Sequence, residues 1–197
     1  MTLLLSSLIF GCSTPSEAAQ QVEVGAPAPD FTLTDLDGKS WTLSALKGKT
    51  VVLEWFNPGC PFVVAAHEGP GPLADLAGKQ PDQVVWLAVN SGAPGKQGAD
   101  PAENREATQK WNMGHPVLMD PTGEVGKTYG ASNTPQMVVV DAKGTLAYYG
   151  ALDNAPLNEV KGGESRIDYA ANAIAAVVKG EKPEPARTKP YGCSVKY

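Results

Sequence analysis

Two stretches of the chain are apolar almost without interruption, Thr50-Val51-Val52-Leu53-Glu54-Trp55-Phe56 and Val84-Val85-Trp86-Leu87-Ala88-Val89. Short runs of this kind, rich in β-branched and aromatic residues, read as strands buried on both faces of a sheet. Asp30-Phe31-Thr32-Leu33-Thr34 and Ser40-Trp41-Thr42-Leu43 mix apolar and polar positions, with the turn residues Asp35-Leu36-Asp37-Gly38 between them, so an N-terminal β-hairpin is expected. Gln136–Val140 and Thr145–Tyr149 predict a second hairpin across Asp141-Ala142-Lys143-Gly144. Helical signals fill the intervals. One region begins at Pro61, is interrupted by Gly69-Pro70-Gly71-Pro72, and resumes over 73–77. Pro101 to Trp111 reads as a crossover helix with Glu103 in its first turn, and Asp120-Pro121-Thr122-Gly123 introduces a short helix through Tyr129. Ile167, Ala171, Ile174 and Val178 share one helical face ahead of Lys179-Gly180. The order hairpin, βαβ unit, helix, hairpin, helix predicts an α/β fold, a mixed central sheet flanked by helices. A single domain over 22–180 is expected, followed by an extended arm over 181–197 in which Pro183, Pro185 and Pro190 disfavour regular structure.

The first eleven residues are mostly apolar and end directly at Cys12. That stretch is too short to span a bilayer and reads as the hydrophobic part of an export signal. Ile9-Phe10-Gly11-Cys12 resembles a bacterial lipobox, although Phe10 is bulkier than usual and no Lys or Arg precedes the apolar run. On this reading residues 1–21 are signal and tether, and Cys12 carries lipid. The protein is then exported to the periplasm or cell envelope and held at the membrane by that anchor. An ordinary cleaved signal, cut near Ala18-Ala19, is the alternative. The net charge of −5, with no basic run, argues against nucleic acid as a partner. With Cys12 lipidated or removed, Cys60 and Cys193 remain, in a compartment that permits disulfides.

Cys60 carries the chemistry. Asn57-Pro58-Gly59 turns the chain after an apolar strand, and Pro61-Phe62-Val63-Val64-Ala65-Ala66 follows with proline at a first helical position. A thiol at a helix N-terminus meets unpaired N–H groups and the positive end of the helix dipole, which favour the nucleophilic thiolate. The competing reading is a small buried hydrophobe.

Further residues widen the picture. Gly25-Ala26-Pro27-Ala28-Pro29-Asp30-Phe31-Thr32-Leu33, Asp37-Gly38-Lys39, Leu46-Lys47-Gly48-Lys49, Pro121-Thr122-Gly123, Tyr129-Gly130, Thr134-Pro135 and Asp141-Ala142-Lys143-Gly144 stand in order along the chain. From about Val24 to Lys179 the sequence resembles the thioredoxin-like superfamily and, within it, the redoxin branch that includes peroxiredoxins. The resemblance implies a thioredoxin-like fold and a thiol oxidoreductase with Cys60 as nucleophile, needing neither cofactor nor metal. It implies that Pro135 is a cis-proline facing that cysteine, with Thr134 and Pro61 beside it in a substrate-binding surface. It also puts Glu54 where thioredoxins carry a buried aspartate. A carboxylate there is expected to have a raised pKa and either to exchange protons with the sulfur or to be salt-bridged, for example to Lys47.

Several positions depart from the family pattern. Val63 stands where a CxxC motif has its second cysteine, and Asn57 where peroxiredoxins present Thr or Ser. No arginine lies close in sequence to Pro135. The ending Pro190-Tyr191-Gly192-Cys193-Ser194-Val195-Lys196-Tyr197 resembles the tails of some redoxin-like proteins, and a mobile arm would bring Cys193 to Cys60 as a resolving thiol. A structural disulfide or an incidental thiol are the other readings of Cys193. His67 and His115 read as structural or surface residues. Three functions follow: thiol–disulfide exchange with protein thiols or disulfides, peroxide reduction, each drawing on an external reductant, or a non-catalytic module that holds a peptide.

Overall fold

The computed structural model describes residues 22–69 and 71–197. The signal, Cys12 and tether of the sequence reading lie outside the described residues, as does Pro70.

Strands β1 (Thr32–Asp35) and β2 (Ser40–Thr42) form the expected hairpin, with Leu33 opposite Trp41. β3 (Thr50–Trp55) runs through α1 (Pro61–His67) and α2 (Pro72–Leu76) to the parallel β4 (Val84–Asn90). α3 (Pro101–Lys110) then crosses to β5 (Val117–Met119), parallel to β4, and α4 (Glu124–Thr128) follows. The two-residue β6 (Asn133–Thr134) precedes the hairpin of β7 (Gln136–Val140) and β8 (Leu146–Gly150). α5 (Tyr169–Val178) packs back on the sheet, and β9 (Cys193–Ser194) lies in the arm. The main sheet has the order β2-β1-β5-β4-β3-β7-β8, and β6 with β9 makes a separate two-stranded ladder.

The central strand explains the two-layer core. All six residues of β3 are buried. Successive side chains point to opposite faces, so Val51, Leu53 and Trp55 join Phe31, Leu87 and Tyr129 on one side. Val52 faces the other layer, where Trp86 and Val139 meet Ala170, Ala173, Ile174 and Val177 of α5.

Two details differ from the sequence reading. β5 was not expected, yet it joins the N-terminal hairpin to the sheet, with Asp35 opposite Leu118. Ile167 is 41% exposed and precedes α5, whose buried face is Ala170, Ala173, Ile174 and Val177. Its backbone is held in the preceding loop by Asn154, whose side-chain oxygen accepts the Ile167 N–H at 2.8 Å.

The arm is extended, as its prolines require, but it is bound along its length. Arg187 bridges to Tyr149 and its guanidinium lies 4.3 Å above that ring. The Thr188 hydroxyl accepts from Ala151 N–H at 2.8 Å. Tyr191 OH donates to the buried Asp153 at 2.6 Å, and Tyr197 OH donates to the Ala131 carbonyl at 2.8 Å. Between these two tyrosines, β9 pairs with β6.

Candidate functional site

Cys60 is the N-cap of α1, with Pro61 at the first helical position. The loop that delivers it is braced by Asn57. Its side-chain oxygen accepts from Gly59 N–H at 2.8 Å, its amide donates to the Gln97 carbonyl at 3.0 Å, and Gln97 returns a bond to the Gly59 carbonyl at 2.8 Å. Asn57 thus spends its hydrogen bonds on loop shape. Gly98, at φ +71, completes the fit, since a Cβ there would sit 1.9 Å from the Asn57 oxygen.

The Cys60 residue is fully covered, at 0% exposure. Its thiol donates to the Thr134 carbonyl across 3.1 Å. Burial pushes the thiol up, but the Cys193 thiol, the Thr134 hydroxyl and the N–H groups of Val63 and Cys193 all act on the ionised sulfur and outweigh it. Cys60 is therefore held below the ordinary cysteine value. The Thr134 hydroxyl is buried and has no partner among the described residues while Cys60 keeps its proton, which leaves it to donate once the proton is gone.

Cys193 stands directly opposite Thr134 in the β6–β9 ladder and is half-buried. Its own burial and the adjoining Cys60 push its thiol up to about 11. The two sulfurs are thus a graded pair in which Cys60 ionises first. Both are free thiols in this structure.

An open surface at Thr134 and Pro135 was expected, but both residues are buried, because the chain's own β9 occupies that edge. The Thr134–Pro135 peptide is cis, and Pro61 is exposed at the helix start. Gly192 makes the docking possible: its φ is +111, and a Cβ there would stand 2.1 Å from the Thr134 carbonyl oxygen. A mobile arm was also expected, yet with both thiols free it is docked by Asn133 to the Gly192 carbonyl (3.0 Å), by Val195 N–H to Ser132 O (3.1 Å) and by Ala93 N–H to Lys196 O (2.7 Å).

Glu54 is completely buried on β3 and is ion-paired, as one of its two readings had it, but its pKa is not raised. Its partner is not Lys47 but His67 at 2.7 Å, with the Trp86 indole N–H donating at 3.0 Å. Burial by itself would raise this carboxyl. The His67 ring, the nearby His115 and the indole overcome it, so the acid is held below its ordinary value rather than above it. His115 Nε2 lies 4.0 Å from Glu54, has no hydrogen-bond partner among the described residues, and is pushed down to about 4 by burial. His67 stacks on Trp111 at 5.1 Å and meets Phe56 edge-on at 5.7 Å. Phe56 and Trp111 share an apolar cluster with Cys60, so the acid–imidazole group lies behind the wall of the cysteine site. The two histidines come from different elements, and nothing in the local pattern marks them as partners of Glu54.

A profile described as Redoxin matches residues 23–165. The chain is 30% identical over 135 residues to chloroplastic peroxiredoxin Q of Triticum aestivum, a match spanning 65% of this chain and 58% of that relative's length. It is 29% identical over 125 residues to the thiol-disulfide oxidoreductase ResA of Geobacillus thermodenitrificans, spanning 64% of this chain and 67% of that one. An uncharacterized conserved protein from Geobacillus kaustophilus superposes with a TM-score of 0.77 at 26% identity, covering 90% of this chain and 94% of its own.

Proposed function

This chain belongs to the redoxin family, and on that premise we propose that it is a thiol oxidoreductase whose redox pair is Cys60 and Cys193. The observation that carries the proposal is the convergence of both cysteines on Thr134, whose carbonyl accepts from the Cys60 thiol and which stands opposite Cys193 in β9, with Cys60 favoured as thiolate and Cys193 retaining its proton. In the oxidised form a Cys60–Cys193 disulfide takes the place of the neighbouring pair that Val63 rules out. The test is peptide mapping of the unreduced protein. The expected result is one disulfide-linked peptide pair, absent in Cys60→Ser. Two free thiols after treatment with a mild oxidant would defeat the proposal.

The complete cover over Cys60 favours a small oxidant for the first step, and similarity to a peroxiredoxin Q supports a peroxide in that role. The Cys60 thiolate attacks one peroxide oxygen, the O–O bond breaks, and the departing oxygen leaves as alcohol or water after taking a proton. The sulfenic acid then condenses with Cys193, forming the S–S bond and releasing water. One peroxide should be consumed per two thiols in reduced protein, and none in Cys60→Ser. An inert peptide-holding module is disfavoured, because β9 already covers the Thr134 edge.

The apolar leader ending at Gly11-Cys12 supports export with lipid on Cys12. Metabolic labelling with a palmitate analogue is expected to mark the wild type and to miss Cys12→Ala.

A further inference from the structure

We propose that the end of the domain opposite the cysteine site docks on a membrane, through a lysine face that takes the phosphates of anionic phospholipid headgroups. The inference rests on the export and anchoring proposed above for bringing a bilayer within reach, and draws nothing from the redox pair.

The turn between β7 and β8 separates two grooves of about 400 and 490 Å³. Lys47, Lys49 and Lys143 line the first, Lys143 and Lys182 the second, and all four are exposed. The Lys and Arg ion pairs among the described residues engage Lys79, Lys110, Arg105 and Arg166, and none of these four. Lys49 donates to the Asp82 carbonyl at 2.9 Å, a neutral partner. The carboxylates lining the same grooves are Asp30, Asp141 and Glu181. Two of them serve their own loops. Asp30 accepts from the Phe31 and Ser44 N–H groups, and Asp141 from those of Lys143 and Thr145. A net charge of −5 repels an anionic surface as a whole, so attraction has to come from a local patch of this kind.

The chain enters the domain at the same place. The Val22 carbonyl accepts from Arg187 at 3.3 Å, Gly25 N–H donates to the Leu146 carbonyl at 2.8 Å, and Val24 and Gly25 line the second groove. From Cys12 to Val22 the chain can reach at most about 35 Å, so a lipid on Cys12 keeps this face close to the bilayer. β3 then fixes what docking presents. Lys49 directly precedes its first residue, and the loop to Cys60 leaves its last. The turn carrying Lys143 lies at the Lys49 end, since Val51 pairs with Val140. Six residues of strand, about 20 Å, separate the two ends. A docked domain therefore holds its cysteine end towards water.

The test is vesicle sedimentation of the full chain carrying Cys12→Ala, so that no attached lipid contributes. Binding to phosphatidylglycerol vesicles is expected to exceed binding to phosphatidylcholine vesicles at low salt. That excess should vanish at about 1 M salt, where the screening length falls to ~3 Å. Each lysine at an anionic surface contributes about fivefold to partitioning, and Asp30, Asp141 and Glu181 offset part of this. Combining Lys47→Gln, Lys49→Gln, Lys143→Gln and Lys182→Gln should therefore lower partitioning by at least about tenfold. The same change at Lys79, Lys96, Lys110 and Lys161 alters net charge equally and should cost far less. Equal loss in both sets, or no preference for phosphatidylglycerol, overturns the proposal. Release by inorganic phosphate at constant ionic strength also overturns it and makes the grooves a site for a small phosphorylated ligand. Acetylation footprinting needs no lysine variant: vesicles should shield the four lysines and leave Lys96, beside the Gln97 that braces the Cys60 loop, reactive. The reverse pattern would put the cysteine end on the membrane. Palmitate labelling of Cys12 is read separately. Labelling without lysine-dependent binding sinks only the docking, and binding without labelling sinks only the anchor.

Discussion

At Thr134 a single residue supplies two groups to one sulfur. Its carbonyl accepts from the Cys60 thiol, and its hydroxyl, idle in that state, faces the thiolate. Thr134→Val keeps the shape and the carbonyl but deletes the donor. The Cys60 pKa is then expected to rise, slowing iodoacetamide alkylation at pH 7 by about tenfold, since a hydrogen bond to a charged group is worth at least ~1.4 kcal/mol. The rate is measured on a Cys193→Ser background, and an unchanged rate would remove Thr134 from the account. His115 provides a second test. It faces Glu54 and His67, and burial lowers it from 6.5 to about 4. The unfolded chain therefore binds a proton near pH 6.5 that the folded chain refuses until about pH 4, so stability falls as pH drops through that window. The full effect is about 3 kcal/mol. Glu54, also lowered, weakens the fold only below its ordinary 4.5, so its own loss stays outside urea unfolding measured between pH 6.5 and 4.5. His115→Asn is expected to flatten the pH dependence there.

Single elements show what was legible in the sequence. β3 and β4 were plain because burial on both faces leaves a continuous apolar run, and Cys60 stood out because strand, turn and proline are all local signals. β5 has three residues between Pro116 and Asp120, too few for a period to register. The sign of the Glu54 shift was hidden because its partners arrive from α1, β4 and the segment before β5. Docking of the arm was hidden for a similar reason: the β6–β9 ladder has two residue pairs, and its cause is the close approach at Gly192. That cause is testable. Gly192→Ala adds a Cβ 2.1 Å from the Thr134 carbonyl at a φ of +111, so β9 must move away. Alkylation of Cys60 is expected to accelerate and protease cleavage of the arm to appear, both followed by mass spectrometry. An unaltered cleavage pattern would mean that the tyrosines alone seat the arm.

For the whole molecule, the arm is a belt that returns from α5 past β8 to the cysteine site and ends at Tyr197 against α4, where Cβ atoms on Gly123 or Gly126 would collide with its ring or hydroxyl. Because this belt is already seated with both thiols free, closing a disulfide between Cys60 and Cys193 requires no large movement. Oxidation should therefore change stability far more than shape. The closed loop is roughly 130 residues long, and restricting the unfolded chain to that extent stabilises the fold by on the order of 5 kcal/mol. Equilibrium unfolding is expected to show the oxidised protein with a urea midpoint higher by on the order of 2 M, a difference abolished in Cys193→Ser. Limited proteolysis of the arm should be nearly the same in both redox states, since the bonds from Tyr191, Gly192, Val195, Lys196 and Tyr197 do not depend on the disulfide. An arm that becomes protease-sensitive on reduction would show that the sulfur link, not these contacts, holds the belt closed, and the covered Thr134 edge would then open in every catalytic cycle.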